Sequence, residues 1–539
     1  MINRFREAIE SGEFAVTFEV IPGRGANEPA QIKEFEEAVK VYQTGRVHGI
    51  SITDNPGGNP AVSAAAIAAE FQKQDIPALI HYAMKDKSRN QIQGDMYAMQ
   101  AAGLDNLMVM TGDYQYSGWS GRSKPVFDLD PVQALQMIAD MNEGLKVQKG
   151  KNEVSEIGAN FFAGAVVSPF KWTEAEIAMQ YMKMEKKILS GARFIISQLG
   201  YDARKMEELV MYVRERGFDT PLIANIYVIT AGTANFMHNG NIPGGYMSDE
   251  FLAILKEEAK AEDKGKAARH LRAAKMVAIS RGLGYQGIHI GGNNLTEEIV
   301  NYILDTADEI QDDWRKWAAE LHYGQANGYY LYAAAVDEEG KPTGLNASKH
   351  SPLTESHHGK KGMMRGYGLS RFFHHWVLTE DKRFFGILRA MMAWRENKKG
   401  LHRHHGMEHL AKTVLYGCMD CGDCGLEPAI YTCPMTKCPK CQRNGPCGGS
   451  ADGWCEVYPN EQYCIYYKAY LRLKKYDEVE KKLDAFITPP NNWDFAFTSG
   501  WSNYTHKRDN TAYRQYLPAR DVRAQAFKDG FKPRAGKVE

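Results

Sequence analysis

The chain has 539 residues, 44% of them hydrophobic and 11% aromatic, enough to bury a large core in two or more domains. Its 66 basic residues balance its 66 acidic ones, which excludes any overall electrostatic case for nucleic acid or an anionic membrane and makes a small metabolite the more natural partner. "MINRFREAIESGEF" lacks the apolar core of a signal peptide, and the longest apolar run, near "AVSAAAIAAEF", is too short to span a bilayer, so a cytoplasmic protein is expected.

In chain order, residues 14 to 310 alternate short β-branched runs with longer amphipathic ones. The strand candidates are "FAVTFEVIP", "HGISITD", "PALIHYA", "NLMVMTGD", "FFAGAVV", "FIISQLG", "PLIANIYVIT" and "GIHIGG". Between them lie helix-like stretches such as "PAQIKEFEEAVKVYQ", "TEAEIAMQYMKMEKKILSG" and "LTEEIVNYILDTADEI", with Ser, Thr or Asp before several and Gly after. Eight strand–helix units predict a (β/α)8 barrel over residues 1–315, with its functional residues at the carboxyl ends of the strands. Residues 316–410 read as a connector, looped through "DEEGKPTGLNASKHSPLTESHHGKKGMMRGYG", with a helical segment at "RFFGILRAMMAWRENKKG". Residues 411–485 form a smaller cysteine-rich α+β domain, and residues 486–539 a tail expected to run extended over the surface.

All nine cysteines fall between Cys418 and Cys464. In a reducing compartment such clustering reads as metal ligation rather than disulfides. Cys418, Cys421 and Cys424, followed by Cys433-Pro434, make a C-x2-C-x2-C run similar to bacterial ferredoxins. Cys433, Cys438, Cys441 and Cys447 make a second submotif, leaving Cys455 and Cys464. Zinc is the rival, because Cys418, Cys421, Cys438 and Cys441 also have zinc-ribbon spacing. One zinc leaves five thiols unexplained, whereas two [4Fe-4S] clusters use eight of nine, and the count favours the clusters. The glycines of "CGDCG" and "GPCGG" suit backbone N–H groups turned toward cluster sulfurs.

In "AVTFEVIP" the alternation places Val16, Phe18 and Val20 toward the helices and Glu19 toward the barrel interior. A desolvated carboxylate there is drawn toward its neutral form and suits a general acid. Strand two turns Ser51 and Thr53 inward, His81 ends strand three, Asp113 strand four and Gln198 strand six. Singly, each reads as an ordinary satisfied polar residue; together, at one end of successive strands, they read as a site. "GLGYQG" follows a helix and precedes a strand, the reverse of dinucleotide-binding order, and is set aside. His405 and His409 in "LHRHHGMEHL" are assigned a surface or interface role, since Gly406 weakens any shared helix face.

These residues resemble the methylenetetrahydrofolate reductase family, here joined to the cysteine-rich iron–sulfur module found with reductases of anaerobic one-carbon metabolism. "TFEVIP", "SIT", "IHY", "TGD" and "ISQ" fall in family order, and "CGDC", "CPKCQRNGPCGG" and "DGWCEV" resemble the module. The resemblance implies an FMN-dependent reduction of 5,10-methylenetetrahydrofolate to 5-methyltetrahydrofolate, or its reverse. In it Glu19 is the general acid, Gln198 a pterin contact and Asp113 a group between flavin and folate. Thr53 and His81 line the flavin, and Lys187, aligned by its distance from Gln198, meets its phosphate. Two [4Fe-4S] clusters would pass electrons from a ferredoxin-like or other redox protein. An Arg of the NADH-linked members is Thr111 here, their flavin-side Tyr is Val166, and no ring near "YVITAGTANF" matches the one that stacks nicotinamide. Alternatives are a folate-dependent methyltransferase with a zinc–thiolate site and a non-catalytic electron-transfer subunit. The oligomeric state, including a homo-oligomer, is left open by the sequence.

Overall fold

The computed structural model describes residues 2–25, 29–353, 363–364, 366–401 and 406–533. Eight parallel barrel strands arise from the eight alternating segments: β1 (Ala15–Val20), β2 (Gly49–Ile52), β3 (Ala78–Ala83), β4 (Asn106–Met110), β5 (Phe162–Val167), β6 (Ile195–Ser197), β7 (Leu222–Val228) and β8 (Gly287–Gly292). Each pairs with its neighbour in sequence, and β8 returns to β1 with Thr17 opposite His289, closing the barrel. Helices follow the strands around the outside, and a short hairpin, Lys146–Lys149 with Asn152–Ser155, precedes β5. "GLGYQG" closes the helix Lys266–Leu283, with Gly284 in the left-handed conformation at its end, ahead of β8.

Strand parity sorts the barrel's two cores. Val16, Phe18, Val20, Ile50 and Ile52 face the surrounding helices. Leu79, Met108, Phe162, Phe194, Ile196 and Ile223 fill the lower interior. Helix Arg4–Ser11 plugs that end with Phe5, whose ring meets Phe162 and Phe194 edge-on at 6.2 and 5.2 Å. Gly164 on β5 leaves room for Phe194, because a Cβ there would come within 2.2 Å of the ring. The amino-terminal end is filled mainly by apolar side chains, with the buried Asn106 paired to Asn3 there at 2.8 Å, and the polar residues of the open cavity lie at the carboxyl end.

The helix Glu174–Leu189 links the barrel to the rest of the chain. Thr173 and Glu176 start it with a reciprocal capping box. All its residues but Ala178 are buried. Ile177, Tyr181, Met184 and Ile188 pack on the barrel, while Ala175, Met179 and Met182 pack against Tyr466, Ala469, Tyr470 and Leu473 of the helix Ile465–Lys474. Its buried cations reach carbonyls across this boundary: Lys183 Nζ donates to Gly445 O at 3.1 Å, and Lys186 Nζ to Leu483 O at 2.7 Å.

Two expectations for the carboxy-terminal part are corrected. The stretch read as a loop carries an antiparallel hairpin, Tyr332–Val336 with Pro342–His350, which lies against the helices Ala203–Glu215 and Trp314–Glu320. The tail is neither extended nor superficial: it forms the helices Gly500–Thr505 and Arg523–Lys528, and Ser499, Ser502, Asn503, Asn510 and Arg523 are buried. The physical cause is polar pairing at long range, with Arg523 Nη1 placed 2.6 Å from Glu185 and 2.8 Å from Asp484. The cysteine-rich region is mainly irregular and helical, and the two-residue strand pair Phe486–Ile487 with Gln515–Tyr516 belongs to the tail. No helix of the described residues is long and apolar enough to cross a membrane.

Candidate active site

A cavity of about 660 Å³ opens at the carboxyl ends of the strands, within the range of sites that enclose a cofactor and a substrate. Six of the barrel residues singled out from the sequence line it, and Ser51 lies behind His81: Glu19 is on β1, Thr53 after β2, His81 on β3, Asp113 after β4, Lys187 on the helix Glu174–Leu189, and Gln198 after β6.

Glu19 sits beside a residue the sequence reading missed. His289 Nε2 lies 3.5 Å from Glu19 Oε1, and its Nδ1 is 3.0 Å from Thr17 Oγ1. His81 Nε2 meets Ser51 Oγ at 2.7 Å, and the two imidazoles are 5.7 Å apart between centroids. Burial, and then the neighbouring His289, pushes the His81 pKa well below the usual histidine value, so His81 is neutral. Ligand atoms of Glu19, His81 and His289 all lie within 4.8 Å of one another. Gly291 on β8 makes this arrangement fit, since a Cβ there would stand 2.3 Å from Glu19 Oε2. His289 was legible: it has the parity of Gly287 and Gly291 on a strand already identified.

Asp113 Oδ2 accepts a hydrogen bond from Gly57 N at 2.9 Å. Gln198 Oε1 accepts from Leu199 N at 2.9 Å, which orients its side-chain amide at the cavity wall. Lys187 Nζ donates to Val166 O at 2.5 Å. Burial and the adjacent Lys183 push the Lys187 ammonium down to about 7. Thr53 Oγ1, Ser168 Oγ and Asn225 Oδ1 also line the cavity, buried and without hydrogen-bond partners among the described residues. Buried polar atoms are normally satisfied, so these donors and acceptors point to a polar ligand.

The far wall comes from the cysteine-rich region. Lys440, Cys447, Gly448, Gly449 and Glu456 line the same cavity. Lys440 pairs with Glu456 and donates to Gly112 O at 2.7 Å, next to Asp113. Gln442 Oε1 accepts from Thr111 Oγ1 at 3.2 Å and from Lys183 Nζ at 2.7 Å. Lys171 holds the Gly448 and Ser450 carbonyls. No sequence signal announces these contacts, which join residues some 260 to 330 positions apart.

Eight cysteines divide into two sets of four. Cys418, Cys421, Cys424 and Cys433 line one small pocket; Cys438, Cys447, Cys455 and Cys464 line another. Cys441 lines neither. The ferredoxin-like run thus stays together with Cys433, but the second submotif does not: Cys433 leaves it, Cys441 drops out, and Cys455 and Cys464 complete the set. Of the zinc-ribbon combination, Cys418 and Cys421 line one pocket, Cys438 the other and Cys441 neither. Among the described residues neither set brings three sulfurs within 4.8 Å of one another. Burial raises the thiol pKa values, to about 12 for Cys421 and Cys464 and about 11 for Cys424, so positive charge is needed to hold them as thiolates. Cys447 belongs to one set and to the cavity wall at once. His409 lies beside Asp420, its Nδ1 3.6 Å from the carboxylate, and His405 is outside the described residues.

Barrel, carboxyl-end cavity and the wall supplied by the cysteine-rich region together make a (β/α)8 protein with its candidate site at the barrel mouth. Residues 4–307 match the family described as methylenetetrahydrofolate reductase, and residues 399–494 match that described as methylene-tetrahydrofolate reductase C terminal. The chain belongs to the methylenetetrahydrofolate reductase family, which makes it an oxidoreductase of that type, and members generally bind FMN. No curated protein matches the sequence. Among solved structures, one of an uncharacterized protein from Clostridium thermocellum that binds two copies of 5-methyl-5,6,7,8-tetrahydrofolic acid is similar at 13% identity, covering 57% of this chain and 99% of that one, with a TM-score of 0.40.

Proposed function

We propose that the protein interconverts 5,10-methylenetetrahydrofolate and 5-methyltetrahydrofolate at the barrel mouth, using electrons that arrive through two four-cysteine iron–sulfur centres. The observation that carries the reading is Cys447, which lines both a four-cysteine pocket and the barrel cavity. FMN would supply hydride transfer to the one-carbon unit, and the clusters would supply electrons singly.

The chain's own residues account for the rest. Lys187, buried near the unpartnered Ser168 hydroxyl, is suited to the FMN phosphate, and the unpartnered Thr53 and Asn225 to other polar ligand atoms. Glu19 donates a proton to the folate amine whose departure opens the five-membered ring. His289, held by Thr17, stands where it can return a proton to Glu19. Asp113 provides negative charge near the positive iminium, an arrangement strengthened where water is excluded. Gln198 presents a planar amide to the pterin. Gln442 and Lys440 wall off the edge at Thr111 and Gly112, which favours a donor other than a nicotinamide nucleotide. Reduction consumes two electrons and two protons per folate.

Iron, acid-labile sulfide, zinc and flavin should be determined on one oxygen-free preparation. About eight irons and one FMN per chain support the reading; zinc with neither flavin nor sulfide rejects it.

A further inference from the structure

The helices Arg383–Lys399 and Gly406–Tyr416 each present an apolar face outward. On the first, Phe385, Leu388 and Met392 are buried, yet Phe384, Ile387, Met391 and Trp394 repeat the spacing on the other side and are exposed. Leu410 and Val414 are exposed on the second, at 65% and 75%. An apolar stripe on a second side of a helix is normally covered as well, and aromatic residues with Met and Arg are the composition of interface cores.

The face lies over one cysteine set. Both helices rest on Gly500–Thr505 and its N-cap Ser499: Ser502 Oγ donates to Glu396 at 2.8 Å and Ser499 Oγ to Glu408 at 2.5 Å. A Cβ on Gly500 would lie 2.6 Å from Lys412 Nζ and 3.6 Å from Cys424 Cβ. Met419, adjacent to Cys418, is 46% exposed. The other set lies against the barrel cavity, so the Cys418–Cys433 set is the outer one.

Charge decides what covers the face. The helix Arg383–Lys399 carries Arg383, Arg389, Arg395, Lys398 and Lys399 against Glu396 alone, and Glu396 is already paired with Arg508 at 2.8 Å. Arg383, Arg389, Arg395 and Lys398 have no carboxylate partner among the described residues. A second copy laid face to face would oppose like charges, which costs binding, whereas an acidic surface complements them.

Resting on the function proposed above, we propose that this face docks a small acidic protein carrying a one-electron redox centre, which reduces the Cys418, Cys421, Cys424 and Cys433 set. Each encounter oxidises the partner by one electron and reduces the set by one, with no bond made or broken; two encounters supply one folate reduction.

The test mixes oxygen-free holoenzyme with a reduced acidic two-cluster bacterial ferredoxin in a stopped-flow spectrometer. In R383E/K398E, with Lys398 5.2 Å from the Trp394 ring on the exposed stripe, the second-order reduction rate falls about tenfold or more, the wild-type rate falls steeply with salt, and reduction by dithionite is unchanged. Equal rates in wild type and variant overturn the docking assignment. So does a wild-type dimer that the double variant dissociates in the ultracentrifuge, or wild-type co-sedimentation with phosphatidylserine vesicles that the variant loses. Metal analysis beforehand separates the two readings: a preparation without iron and sulfide overturns the proposed function, and this inference with it, before any mixing.

Discussion

Replacing Gly291 by alanine isolates the position of the Glu19 carboxylate from its charge. The added methyl would stand 2.3 Å from Glu19 Oε2 and 3.3 Å from the Tyr227 ring, so the side chain that must yield is the flexible end of Glu19. Ordinary contact requires a retreat of roughly 1 Å, and misplacement on that scale costs about 10²-fold in a catalytic step. This corresponds to about 2.7 kcal/mol at 1.36 kcal/mol per decade. Gly291 has no positive φ, so alanine adds no backbone strain there. Two half-reactions are followed anaerobically by flavin absorbance: reduction of the holoenzyme by dithionite, and its reoxidation by methylenetetrahydrofolate. The first should match wild type and the second should slow about a hundredfold, with Glu19→Gln slower still, up to 10⁴-fold. Reoxidation of the Gly291→Ala protein at the wild-type rate would show that Glu19 does not need its present position and remove it from the acid role.

Lys187 gives the site a pH signature. With its ligand-free pKa at about 7, the ammonium that binds a phosphate dianion is present below that value and lost above it, so FMN affinity falls by up to tenfold per pH unit above ~7. Fluorescence titrations of apoprotein between pH 6 and 9 should show this slope for FMN and not for riboflavin; parallel slopes would unseat Lys187 as the phosphate contact. The cysteine division predicts that Cys441→Ser retains the full iron content, whereas Cys421→Ser and Cys455→Ser each lose about half, as read by iron assay and low-temperature EPR. Removing Arg523 leaves Glu185 and Asp484 buried with fewer counter-charges, and Arg523→Ala should cost about 3 kcal/mol, seen as a lowered urea midpoint. An unchanged midpoint would show that Arg216 and Arg520, which also meet Glu185, suffice.

The barrel was readable because each strand must show one face to helices and the other to the interior, and that constraint is written every second residue, from Val16 to Val20 and again from Ile50 to Thr53. Six cavity residues followed from the same rule and the family resemblance. His289 obeyed it too, but a short "GIHIGG" strand attracted attention only as a strand. The hairpin at Tyr332–His350 had its turn in "DEEGKP", hidden by the polar residues around it. What sequence pattern did not carry was the contact of distant parts. Lys440 reaches Gly112, Gln442 reaches Thr111, and Arg523 reaches Glu185 through specific polar pairs that leave no period in the chain. The same holds for the cysteines, where spacing allowed several groupings and only folding assigns Cys441 to none.

The helix Glu174–Leu189 has dry surfaces on both flanks, and this bears on how the polypeptide is made. A nascent chain that has emerged only through β8 would show water a flank of Met179 and Met182 and two lysines, Lys183 and Lys186, whose carbonyl acceptors have not yet been synthesised. The front half is therefore an unfinished object on its own, prone to clumping until the rear half wraps it, and cutting the gene between the two should yield insoluble protein rather than a smaller enzyme.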